Sequence, residues 1–165
     1  MGYVLLFVKS TALGPGGGFI FFVDYHDQYP GFTYLEVAPT DLGPSVWCSD
    51  TSTSIPAVAG WDANAVGRGQ DNTSIMTVVC ASGAANLADS YTNNGINDWF
   101  LPSLGELMLM YTNLRQAGVG GFASDYYWSS TEDGSSNAWL QYFDNGYQYS
   151  NYKSSSYRVR AVRAF

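Results

Sequence analysis

Asn145-Gly146 constrains this chain more than any other feature, because Asn-Gly is the pair that most readily fills both central positions of a tight hairpin turn. It sits between "NAWLQYFD" and "YQYSNY", two runs in which side-chain character alternates. A two-residue loop would set Asp144 opposite Tyr147, Tyr142 opposite Tyr149 and Leu140 opposite Asn151. The period of two along a strand then divides the side chains between two faces. One face carries Leu140, Tyr142, Asp144, Tyr147, Tyr149 and Asn151, and the other carries Trp139, Gln141, Phe143, Gln148, Ser150 and Tyr152. Trp139 and Phe143 are the stronger apolar anchors, so their face is expected inward and the Tyr-rich face outward.

The chain after this hairpin ends in "RVRAVRAF", which reads as a closing strand over 158–165. Arg158, Arg160 and Arg163 alternate there with small apolar residues, and they are expected to pair with nearby carboxylates. The alternation breaks between Ala161 and Val162, as it would at a bulge or in a strand buried on both faces.

Upstream, Phe19 to Tyr25 and Phe32 to Val37 read as strands joined through the turn "HDQYPG". A helical window runs from about Asn72 to Tyr91, with Gly83 placed to divide it. Ser103 and Glu106 have the spacing of a capping box, followed by Leu107, Met110, Tyr111 and Leu114 on one helical face and by Gly118 as the stop. The opening run Tyr3 to Val8 reads as a first strand and not as a signal peptide.

Composition narrows the function. The 165 residues suffice for one domain, taken as 1–165, with an ordinary buried core. The formal net charge is −7, and of only seven Lys and Arg residues four lie in the last 13, so no basic stripe exists for nucleic acid. No segment has the roughly 18–20 apolar residues of a membrane span, which argues against direct membrane insertion. The single histidine, His26, falls in a turn, and no GxSxG elbow or P-loop accompanies it. Cys48 and Cys80 lack metal-site spacing; they could pair with each other or stand as ordinary buried residues. No catalytic residue, metal or cofactor is therefore expected. What remains is the segment 132–157, with six Ser, five Tyr, three Asn and two Asp. Tyr supplies rigid amphipathic contact while Ser and Asn supply adaptable hydrogen bonding, the chemistry of binding surfaces.

The motifs "GGGFIFFVD", "VAPTD", "DWFLPSLGELMLMYTNL", "GGFASDYYWSST", "NAW" and "RVRAVRAF" occur in that order, and together the chain resembles the C-type-lectin-fold variable proteins of diversity-generating retroelements, within the wider DUF1566 group. The resemblance spans roughly residues 16 to 165. It implies an α+β C-type lectin fold: two helices with a twisted antiparallel sheet, and N- and C-terminal strands paired. In such systems adenine-directed copying turns template Asn codons into NNC or NNT codons. The resemblance thus implies a variable ligand-binding set of Leu140, Tyr142, Asp144, Tyr147, Tyr149, Ser150, Tyr152, Ser154, Ser155, Ser156 and Tyr157, with Trp139, Gln141, Gln148 and Lys153 as scaffold. Calcium-dependent sugar binding is not supported, since "NDW" stands in altered order and EPN and QPD are absent. Formylglycine-generating activity is not supported either, since the two cysteines lie far apart and early. The implied function is recognition of a protein or glycan ligand on a host or neighbouring cell, from a virus particle or a cell surface. The alternative is a fixed adhesin or structural domain with no diversification.

Overall fold

The computed structural model describes residues 12–165. The strand expected at Tyr3 to Val8 lies outside the described residues. Eight strands follow: β1 (Phe19–Val23), β2 (Tyr34–Val37), β3 (Gly43–Ser45), β4 (Tyr126–Glu132), β5 (Asn137–Tyr142), β6 (Gln148–Tyr152), β7 (Tyr157–Val159) and β8 (Val162–Ala164). Between β3 and β4 lie four α-helices, α1 (Gly60–Asn64), α2 (Gly69–Val79), α3 (Ala84–Asp89) and α4 (Leu104–Met110). A π-helical turn, Tyr111–Arg115, extends α4.

The strands form two sheets. One is three-stranded and antiparallel in the order β1-β2-β8; the other is five-stranded in the order β3-β7-β4-β5-β6, with β4 and β7 parallel. The two-helix C-type lectin fold expected from the resemblance is corrected by this architecture. Among the described residues there are four α-helices instead of two, and two separate sheets, one of them mixed, instead of one twisted antiparallel sheet. The last strand pairs with β2.

"RVRAVRAF" is not one strand. Tyr157–Val159 completes the five-stranded sheet and Val162–Ala164 the three-stranded one, so the chain changes sheets at Arg160 and Ala161. The break in alternation marks this transfer, and residues 160–163 are all buried.

Each face of the five-stranded sheet carries a core. Trp128, Leu140 and Val159 pack with Met76, Ala84, Ala85 and Ala88 of α2 and α3. Tyr127 and Phe143 pack with Leu107 and Met110 of α4 and with Leu35, Val37 and Val162 of the three-stranded sheet. A sheet sandwiched this way has no wholly solvent-facing side along its middle. That is why Leu140, expected outward, is fully buried.

Where local chemistry governs, the structure follows the local signals. Gly83, at φ 144°, separates α2 from α3. Ser103 caps α4 in a reciprocal box: its hydroxyl accepts from the Glu106 N–H, and its own N–H donates to Glu106 Oε2 at 2.8 Å. Glu106 also accepts from the N–H groups of Gly67 (2.8 Å) and Gly69 (3.4 Å), so one carboxylate joins the starts of α2 and α4. Burial pushes its pKa up from 4.5 to about 7, against the pull of those N–H donors. The folded form therefore holds its proton to higher pH than the unfolded chain. This contribution to stability is complete below pH 4.5 and declines as pH rises to about 7, by on the order of 3 kcal/mol. Denaturant titrations should show that decline in the wild type and a flatter profile in Glu106→Gln, which does not titrate; parallel profiles would contradict it.

Candidate binding surface

The hairpin that carries most of the expected contact residues has a longer loop than Asn-Gly alone would set. Leu140 pairs with Tyr149 and Gln141 with Gln148, leaving Phe143 to Gly146 as the connection beyond a closing bond from the Tyr142 N–H to the Tyr147 carbonyl. The cause lies outside the turn. Phe143 is drawn into the core, and Arg115 Nε donates to its carbonyl at 2.7 Å. Asn145 Oδ1 accepts from the Tyr147 N–H, and Gly146 adopts φ 80° with Tyr111 against its α-carbon. The register differs from the expected one by two residues, which preserves the division into faces.

Four tyrosines come together on one face. Tyr126 of β4 stacks on Tyr142 of β5 with ring centroids 4.4 Å apart, and it meets Tyr157 of β7 at 5.4 Å and Tyr149 of β6 at 5.9 Å. Tyr157 in turn lies edge-on to Trp128 at 5.0 Å and accepts a hydrogen bond at its hydroxyl from Asn151 Nδ2. Burial raises the Tyr126 pKa, and the neighbouring Tyr149, Tyr142 and Tyr157 hydroxyls add to the effect. Four aromatic side chains from four adjacent strands thus form one half-exposed platform, rooted on the core at Trp128.

Charged clamps hold the backbone beneath it. Arg158 reaches both Asp125 (2.8 Å) and Asp41 (3.1 Å). Buried Arg160 pairs with Asp41 at 2.8 Å and donates to the carbonyls of Ala38, Pro39 and Gly120. Tyr127 donates its hydroxyl to Asp41 at 2.9 Å. Arg163 pairs with Asp98 (2.7 Å) and Glu36 (3.2 Å), so all three terminal arginines are structural ion-pair partners. Glu36 also gathers the N–H groups of Gly16 and Gly18, which gives the glycine-rich run a carboxylate to wrap.

The expected contact residues do not all share this surface. Tyr149 (40%) and Tyr147 (66%) are exposed, and Tyr142 and Tyr157 are half-buried within the platform. Asp144 is exposed in the loop. Ser150 and Tyr152 belong to the opposite face, where Tyr152 is exposed. Ser154 and Ser156 are exposed and Ser155 half-buried in the connection to β7. Leu140 is buried and drops out of the set. Tyr126 was missed because it lies outside 132–157; the aromatic run "DYYW" was its only signal. Among the described residues no group of three or more His, Cys, Asp or Glu side chains could hold a metal ion.

A family model described as "Lcl C-terminal domain" matches residues 45–163, most of the chain. The chain belongs to the Lcl C-terminal domain family. A search of curated proteins finds no match. Among solved structures, a crystal structure of a fimbrial protein from Bacteroides ovatus is similar in fold, with a TM-score of 0.61 over 92% of this chain at 15% identity. This chain spans less than half, 45%, of that structure. These findings overturn the assignment to retroelement-diversified C-type-lectin-fold proteins. The buried position of Leu140 argues the same way, since variation there would fall on the core.

Proposed function

We propose that this Lcl C-terminal domain is an adhesin-like module with a fixed binding surface, which attaches to a partner molecule on a neighbouring cell. The observation that carries this reading is the platform of Tyr126, Tyr142, Tyr149 and Tyr157, extended by exposed Tyr147. Aromatic contacts held on strands present area at low entropic cost, and ion pairs at Arg158 and Arg160 keep the strands in place. The fold likeness to a fimbrial protein fits a role at the cell surface. A disulfide between Cys48 and Cys80 fits an oxidising location. Among the described residues no helix is long and apolar enough to cross a membrane.

Beads coated with the domain should adhere to at least one type in a panel of bacterial and epithelial cells. The Tyr147→Ser, Tyr149→Ser double variant should lose that adhesion while unfolding within about 1 kcal/mol of wild type, as exposed substitutions do. Tyr142 is left intact because its stacking on Tyr126 makes it partly structural. Undiminished adhesion by the double variant, or none by the wild type, would remove the proposal.

A further inference from the structure

On the other side of the hairpin from the tyrosine platform, the structure has a groove that the proposed function does not use. It has a volume of about 510 Å³, within the range of ligand clefts, and its walls include Trp61, Trp139, Asn64, Asp133 and Ser54. Trp139 sits on β5 with its side chain on the face opposite Leu140 and Tyr142, and it is half-buried. Trp61, on α1, is 88% exposed, the largest exposure among the big apolar side chains of the described residues. A second depression of about 360 Å³ adjoins it, lined by Leu104 and Met108 and sharing Trp61 and Asn64 with the first. The Trp61 indole is therefore a ridge between two hollows. Among the described residues neither Trp61 nor Trp139 packs on another aromatic ring; Trp61 is open to solvent, and Trp139 lines the groove from its half-buried position.

We infer that this groove binds a neutral saccharide. Pyranose rings present apolar C–H faces that suit a flat indole, and hydroxyls around the rim that suit amides, carboxylates and hydroxyls. Trp61 and Trp139 supply the first, and Asn64, Asp133 and Ser54 supply the second. Asn64 lines both hollows. Charge selects against acidic sugars. Among the described residues no Lys or Arg lines either hollow, and the nearby Lys153 is bound to Glu132 at 2.5 Å. Asp133, exposed on the rim, would repel sulfate or uronate groups. Two hollows flanking one indole fit consecutive sugar units better than a single small molecule.

Tryptophan fluorescence titrations of the full chain test this with short neutral oligosaccharides of glucose, mannose, galactose and xylose, and with a heparin fragment as the acidic counterpart. At least one neutral oligosaccharide should bind saturably, and isothermal calorimetry should show Trp61→Ala weakening it by about tenfold or more, the loss of an aromatic anchor. Trp61→Phe should fall between, and the Tyr147→Ser, Tyr149→Ser variant should bind like wild type. Binding by none of the neutral sugars, binding indifferent to Trp61, or preference for the heparin fragment would each overturn the assignment. Because Trp61 is exposed, its variants should keep the wild-type melting temperature, which separates lost binding from lost folding.

Discussion

Replacing Lys153 with Met should destabilise the protein by about 3–5 kcal/mol, the cost of leaving one member of a buried ion pair alone. Lys153 and Glu132 are both wholly buried, with Nζ 2.5 Å from Oε1. The ammonium also donates to the Thr53 carbonyl at 3.0 Å and lies 5.0 Å from the centre of the Trp47 ring. Glu132 in turn accepts from the Ile55 N–H at 2.7 Å and the Ser54 hydroxyl at 2.8 Å. The pair thus ties the end of β4 and the turn after β6 to the irregular segment at 53–55. Without Lys153, Glu132 keeps two hydrogen bonds but no counter-charge, in surroundings where water cannot replace it. The double variant Glu132→Gln, Lys153→Met removes both charges and should recover much of the loss. Urea denaturation measures all three proteins. A single variant within about 1 kcal/mol of wild type would show the pair to be better solvated than its geometry indicates.

This pair also shows where sequence reasoning reaches its limit. Only the resemblance, since overturned, set Lys153 apart as scaffold, and its partner lies 21 residues away at the end of β4. Glu36 is harder still, since it meets Arg163 across 127 residues and nothing in its neighbourhood marks it as buried. By contrast, the capping box at Ser103, the division at Gly83 and the strands at Phe19 and Tyr34 depend on neighbours within a few residues, and they were legible. The hairpin was legible in its faces but not in its loop, because Arg115 and the Phe143 core site, not Asn145-Gly146, set the length of the connection. Helix number and sheet division have no such local signal: the resemblance implies two helices and one sheet, whereas the described residues form four α-helices and two sheets. Trp61 carried no local signal: an aromatic residue in a Gly- and Asp-rich stretch looks the same whether it is core or ridge.

Reduction of the Cys48–Cys80 disulfide should lower stability by about 3–4 kcal/mol, from the unfolded-chain entropy released when a loop closed across 32 residues opens. For a chain of this size that corresponds to a fall in melting temperature on the order of 10 °C. The native structure should nevertheless persist at room temperature. The same contact is reinforced without sulfur: Ser49 donates its N–H to the Ser82 carbonyl at 2.8 Å, and Ala84 donates to the Trp47 carbonyl at 3.1 Å. Both cysteines are fully buried beside Trp47, Met76 and Ala84, so free thiols would still pack as small apolar groups. Calorimetry with and without reductant, after brief unfolding to expose the bond, reads the shift directly. The Cys48→Ala, Cys80→Ala variant should match the reduced protein and ignore reductant. A wild type equally indifferent to reductant would mean that the bond adds nothing. The expected shift bears on location as well: a chain kept in a reducing compartment would forgo a sizeable part of the 5–15 kcal/mol typical of a folded domain, whereas one at the cell surface retains it.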